Sequence, residues 1–435
     1  MDPLIEIKNC ILNNDINQAY IRIMKCENAY FSNGDYWNIR GVFNFTIKEF
    51  SEAISCFEKS LLINPYNSDA FYNYAFTLEK IGRGKEAAHY YGFAFKYAQS
   101  NELREELLKK YKNNNFEKEF LEVTNDKHTN HFEYPKVSII IPTYNQKVFL
   151  KESLESALNQ DYPNLEVIVG DDNSNDGTDE LLKNYLDYPN LKYIKREKNL
   201  GAGNNSRDIL YNHCLSKYVM MLNHDDYLTD MGYISQAVAF LKSNPNLSFV
   251  WANCYIKEEE NQTIVETNYD LEPITKGTEY FIKYETGNYK HITGFLTTVF
   301  DREKAIAMNC FKEETKSKDL FVYLKLMLVG DVGFIKEKVS VYRIHKNSIS
   351  FNMPIEYDYT TIGELEKLKN IAFNKGFKKD MLENWFMYRM TSYFSWRIGT
   401  LKSTGKIDLA KKLYNDVIAS YPSLESYFNV FSVEI

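Results

Sequence analysis

Two adjacent carboxylates, Asp225 and Asp226, close the short apolar run Tyr218–Leu222. Neighbouring like charges at the end of a buried strand repel, and a divalent cation is one way to offset that cost. Hard oxygen ligands suit Mg2+ or Mn2+. The competing role is an N-cap pair for the helical pattern that follows at 231–241, since Asp caps helices well. A second acidic turn, Asp171-Asp172-Asn173-Ser174, closes the apolar run Leu165–Val169. Further on, the alternating segment Val339–Ile344 leads into His345, and period-two alternation puts Arg343 and His345 on one face.

These residues need elements to hold them. Val137–Ile141 is an unbroken, largely β-branched run that suits a strand buried on both faces, and Pro142 ends it. Thr143, Tyr144 and Asn145 follow as a loop. Phe149, Leu150, Leu154 and Ala157 then recur at helical spacing before the second strand, Leu165–Val169. The result is a βαβ start with two polar loops at the carboxyl ends of its strands, where open α/β sheets bind ligands. Leu181–Leu186 continues as helix, Leu191–Ile194 as a third strand, and Phe249–Tyr255 as another. Gly201-Ala202-Gly203 does not open a first βαβ unit, so it is not read as a dinucleotide fingerprint.

The segment Pro142-Thr143-Tyr144-Asn145, the turn Asp171–Ser174 with Asp176-Gly177-Thr178, the Asp225-Asp226 pair and the Tyr342-Arg343-Ile344-His345 ending resemble family 2 glycosyltransferases. Their order and spacing carry the resemblance over about 135–350. It implies an α/β GT-A (Rossmann-like) domain that transfers a sugar from a nucleotide-diphosphate sugar with inversion. In that light Pro142, Thr143, Asn145, Asp171, Asp172, Arg207, Asp225 and Arg343 contact the nucleotide sugar, a UDP-sugar being the expected donor. Asp225, Asp226 and His345 would hold Mn2+ or Mg2+. Asp319, at the start of the helical run to Leu326, maps to the family's base, with a helix-dipole role as its alternative. The sequence departs from the pattern at Asn223 and Lys318, where the family carries acids. Thr293–Phe300 resembles the strand leading to the base, and the polar stretch 257–277 is read as a rim loop.

The first hundred residues repeat with a period of about 34 residues. Trp37, Gly41, Ala53, Phe57 and Ser60 align with Phe71, Ala75, Ala87, Tyr91 and Ala94, large residues and small ones holding their columns, while Pro65 has no proline counterpart in the third unit. This resembles the tetratricopeptide repeat, with three units and a charged capping helix over 102–121. The expected division is a helical repeat domain at 1–121, a linker at 122–134, the transferase at 135–354 and a helical region at 355–435. A stack of this kind offers a docking groove for a protein or peptide, or serves as a spacer or self-association module. The aromatic-dense tail (Trp385, Phe386, Tyr388, Tyr393, Phe394 and Trp396) is read as core packing, with acceptor binding or oligomerisation as further roles.

Bulk properties narrow the rest. A net charge of −7 excludes a non-specific nucleic-acid binder. Six scattered cysteines without a CxxC pair read as reduced thiols of a cytoplasmic protein. No basic-then-apolar leader and no membrane-spanning run is visible. The acceptor is left open between a protein, a peptide and a cell-surface or lipid-linked glycan. A reading of another class is a nucleotide-binding scaffold without turnover, for which Asn223 and Lys318 speak.

Overall fold

The computed structural model describes residues 3–30, 33–112, 115–124, 134–313, 318–346 and 354–430. The linker histidines His128 and His131, together with Glu314 and the 347–350 loop, lie outside the described residues. The chain divides into two compact units, residues 1–136 with 242–245 and residues 137–241 with 246–435.

The first unit is built from antiparallel helix pairs. Gly34–Thr46 packs on Phe50–Ile63, and Ser68–Lys80 packs on Gly84–Tyr97. The period is visible in the caps. Asn33 accepts from the Tyr36 amide, and 34 residues later Asn67 accepts from the Ala70 amide. The small columns permit close approach: a Cβ added to Gly41 would lie 2.4 Å from the Phe57 ring. Arg40 pairs with Glu27 at 2.6 Å and lies over the Trp37 ring. The charged stretch expected as one capping helix is two, Asn101–Tyr111 and Glu117–Thr124. The run Asn113-Asn114-Asn115 falls between them, and asparagine is a poor helix former.

The second unit holds ten strands: β1 (Val137–Thr143), β2 (Leu165–Asp171), β3 (Leu191–Lys195), β4 (Tyr218–Met221), β5 (Tyr227–Leu228), β6 (Leu247–Glu258), β7 (Thr263–Glu266), β8 (Ile274–Thr275), β9 (Thr298–Asp301) and β10 (Asp331–Ile344). They form one sheet in the order β3-β2-β1-β4-β9-β6-β10-β5, with β7 on β6 and β8 on β10. β1, β2, β3 and β4 run parallel, and β9 is antiparallel to both its neighbours. This is the mixed sheet of a GT-A fold. β1 sits between β2 and β4, so the acidic turn after β2 and the Asp225-Asp226 turn after β4 flank the loop after β1.

Two local expectations change. The 293–300 stretch is a strand only from Thr298. Phe295–Thr297 is a 3-10 turn that starts from Gly294 at φ +65°. The 257–277 stretch contains β7 and β8 rather than loop throughout. The tail helices Glu356–Asn374, Lys379–Ser403 and Ile407–Ser420 share one apolar core with the sheet and its helices. Trp385 stacks on Phe281 at 4.6 Å, and its indole N–H donates to the Phe281 carbonyl at 3.0 Å. An aromatic ring with a satisfied polar atom is what a buried Trp requires.

Candidate active site

The loops after β1 and β2 are sewn together. The Asn145 amide donates to Ser174 Oγ, and the Asn145 side-chain oxygen accepts from the Asn175 amide, both at 2.9 Å. Asn145 and Asn173 both adopt positive φ, which asparagine tolerates better than most residues. Thr143 is buried, and its Oγ1 has no hydrogen-bond partner among the described residues. A buried unpaired hydroxyl beside a strand end is a hydrogen-bonding position a ligand could complete.

The acidic turn is used from within. Asp171 is fully buried and accepts from the Ser174 amide and the Tyr193 hydroxyl. Asp172 holds the next loop: its two oxygens accept from the amides of Leu200 and Gly201 at 2.7 and 2.8 Å. The helix Ala202–Asp208 starts there and runs into a π-turn at Ile209–His213. The turn places Arg207 on an exposed face that lines the main cleft.

After β4 the two adjacent carboxylates part company. Asp226 is fully buried; its oxygens accept from the Arg343 amide at 3.0 Å and from Asn223 Nδ2 at 3.1 Å. Burial and the neighbouring Asp225 push its carboxyl well above the usual range. Asp225 is only half-buried and faces His345 Nε2 at 3.1 Å. Burial opposes its ionisation, but the hydrogen bond with His345, the nearby His224 and a backbone hydrogen bond together outweigh it, and its carboxyl titrates below the usual range. His345 stacks on Phe149 at 4.8 Å.

Three of the expected site residues are engaged within the protein. Asp226 is turned inward, its carboxylate held by the Arg343 amide and Asn223. Asp171 faces inward as a brace for its own turn. Arg343 is buried, with its guanidinium paired to Glu152 and Glu259 and packed over Tyr227, so it organises the strand end from inside. Among the described residues no three His, Cys, Asp or Glu side chains gather as a ready metal cage. Asp225 and His345 still form a mixed oxygen–nitrogen pair at the right strand end. That donor set fits a cation completed by a ligand's phosphates and water, as Mg2+ and Mn2+ sites often are.

A cleft of about 1130 Å³ opens beside this strand end. Its walls include Arg207, Asn223, Lys318 and Asp319, and on the other side His291, Glu285 and the tail residues Tyr388, Tyr393 and Trp396. Asp319 sits in the first turn of Lys318–Met327, with one oxygen accepting from the Leu320 amide at 2.9 Å. Burial raises its carboxyl above the ordinary value, with the nearby His291 pulling the other way. Lys318 lies against Gly203, whose added Cβ would meet its side chain at 2.2 Å, and its ammonium donates to the Glu313 carbonyl.

Residues 138–304 match the family profile described as glycosyl transferase family 2, and residues 56–101 match a tetratricopeptide repeat profile. The chain carries a family 2 glycosyltransferase domain. That domain makes the protein a glycosyltransferase. Similar curated proteins include the GalNAc(5)-diNAcBac-PP-undecaprenol beta-1,3-glucosyltransferase of Campylobacter jejuni, 26% identical over 60% of this chain and 83% of that protein. The putative teichuronic acid biosynthesis glycosyltransferase TuaG of Bacillus subtilis is 26% identical over 50% of this chain and 82% of its own. Among solved structures, S. aureus TarS 1-349 in complex with UDP is 17% identical, with a TM-score of 0.49 over 68% of this chain and 92% of that one.

Sequence reasoning missed Glu285, His291 and Arg389, and it read the tail aromatics as core. Glu285 adopts φ +65° and is a hub. Its carboxylate takes Arg389 at 2.6 Å, Ser392 at 3.0 Å and His291 at 2.8 Å. Trp385, Phe386 and Phe394 are core, whereas Tyr388, Tyr393 and Trp396 line the cleft. No local pattern marks Glu285, because two of its three partners, Arg389 and Ser392, lie about a hundred residues away. Among the described residues, no helix of the glycosyltransferase is long and apolar enough to cross a membrane.

Proposed function

We propose that the enzyme is a metal-dependent, inverting transferase that moves a sugar from a UDP-sugar to an acceptor hydroxyl. The observation that carries this reading is Asp319. It is a carboxylate in a cleft wall, with a raised pKa, without an ion pair among the described residues, and in the same cleft as Arg207 and Asn223. A base with a pKa raised toward neutrality is better matched to taking a hydroxyl proton.

Thr143 Oγ1, Asn145 and the Pro142 turn line the nucleotide side, and Asp172 supports it by fixing the 199–201 turn. Arg207 offers an exposed guanidinium to the donor's phosphates. Asp225 and His345 are the residues that would hold Mg2+ or Mn2+ there, and the ion's chemistry is to offset the charge of the departing diphosphate. In the transfer, the acceptor oxygen forms a bond to the anomeric carbon from the face opposite the leaving group. The bond from that carbon to the diphosphate oxygen breaks, and the acceptor proton passes to Asp319. The products are the inverted glycoside and a nucleoside diphosphate.

The relatives' names point to glycans as acceptors, and the aromatic wall of the cleft supports a saccharide end. The repeat unit supports a second reading, in which a docked polypeptide carries or is the acceptor. Purified protein given UDP-, GDP- and dTDP-sugars with Mn2+ tests the donor assignment through release of nucleoside diphosphate. Release from one donor, lost with EDTA and with Asp319→Asn, is the expected result. A protein that binds neither UDP nor GDP in the presence of Mn2+ would overturn the donor site and leave a scaffold.

A further inference from the structure

The four tryptophans of the chain divide sharply. Trp37, Trp251 and Trp385 are 2%, 0% and 3% exposed, whereas Trp396 is 49% exposed and lines the cleft. Its surroundings are built rather than loose. Tyr393, whose ring centre is 6.0 Å from that of Trp396, donates its hydroxyl to Asp358 at 2.8 Å. Asp358 is in turn gripped by Arg397 in a fully buried pair at 3.0 Å. One turn earlier, Tyr388 donates to the Glu285 carbonyl at 2.9 Å, and Arg389 and Ser392 both engage the Glu285 carboxylate. Two buried ion pairs thus hold one helical face, and that face carries a half-exposed indole into the cleft that contains Asp319.

We propose that Trp396 is the platform of an acceptor subsite that takes a saccharide ring. This rests on the glycosyltransferase reading and goes beyond it, since the subsite belongs to the helical tail and not to the sheet. One face of a pyranose presents C–H groups, which pack against an aromatic ring while the hydroxyls stay at the edge for polar partners. Tyr388 and Ser392 line the same cleft, and their hydroxyls, which donate to Glu285, keep an oxygen lone pair that can accept. The two arginines of this stretch of the tail, Arg389 and Arg397, are neutralised by Glu285 and Asp358, so this wall suits an uncharged ring. At about 1130 Å³ the cleft exceeds the roughly 300–1,000 Å³ that holds one drug-sized ligand, which leaves room for donor and acceptor together.

The distribution of the tryptophans supplies the assay. Acrylamide quenching of the full chain reports chiefly on Trp396, and Trp396→Phe identifies that component. UDP binding with Mn2+ is measured first, because its absence would bring down the donor site and not this proposal. With UDP and Mn2+ present, methyl glycosides and β-linked disaccharides of glucose, N-acetylglucosamine and N-acetylgalactosamine are then added. At least one should lower the quenching constant about twofold or more. Shielding by UDP-sugars but by no free saccharide would assign the platform to the donor's sugar and overturn the acceptor subsite. UDP binding with no shielding by any of these probes would overturn it as well.

Discussion

Glu285→Gln is the sharpest test of how the tail is coupled to the cleft. Burial alone would raise the Glu285 carboxyl, but the hydrogen bond from His291 and the Arg389 guanidinium outweigh it and hold it at about 2, against an ordinary 4.5. At about 1.36 kcal/mol per pH unit, that gap is worth roughly 3 kcal/mol in favour of the ionised carboxylate. Breaking a buried pair from one side gives a similar figure, about 3–5 kcal/mol, because Arg389 would be left without its counter-charge. The Glu285 side chain is 21% exposed and that of Arg389 3%, so screening removes little of it. For a unit of this size, the substitution should lower Tm by roughly 5–10 °C at neutral pH. The sign follows from the depressed pKa. The stabilisation is complete above the unfolded value near 4.5 and is lost as pH falls toward 2. Thermal melts followed by tryptophan emission suit this, since Trp251, Trp385 and Trp396 all lie in the second unit. A variant that melts within 2 °C of wild type at about pH 7, or whose deficit does not shrink toward about pH 3, would refute the reasoning.

Four further outcomes follow from the same structure. Asp319→Asn should lower turnover by about 10²–10⁴. It should melt at the same or a higher temperature at neutral pH, because it removes a carboxylate whose ionisation burial opposes; a fall in Tm would make Asp319 structural. The acid limb of the wild-type rate profile should lie above the ordinary Asp value of 3.8, where burial moves Asp319, and a limb at or below it would count against this base. Asp172→Ala leaves the Leu200 amide without its acceptor, at a cost of about 1–3 kcal/mol, and leaves the Gly201 amide with Asn199 Oδ1 alone, so donor KM should rise more than kcat falls. Gly41→Ala should destabilise the repeat unit by about 1–3 kcal/mol, read as urea unfolding of the full chain, because the new Cβ collides with the Phe57 ring.

Much of the architecture was legible because it is written in short-range periodicity. The run Val137–Ile141 is apolar at four of its five positions, Ser138 being the exception, as suits a central parallel strand, and it pairs on both sides. The 34-residue recurrence of caps and small columns is equally local, since each helix pair repeats the same contact. Acidic residues at strand ends could be located for the same reason: a strand's end is visible in its own sequence.

What the sequence could not decide was the direction of each side chain once distant elements met. Asp225 and Asp226 are chemically identical neighbours, yet one faces His345 at 3.1 Å and the other accepts from the Arg343 amide. The difference is made by β10, more than a hundred residues away. Arg343 is drawn inward by Glu152 and Glu259, from two other elements. In the tail, Trp385 and Trp396 belong to the same aromatic helix and give the same sequence signal. Phe281 covers the first, and the cleft uncovers the second. Composition and spacing fix which residues alternate and which elements they form. Which face is buried depends on the partner that arrives to bury it, and that is a property of the packed fold alone.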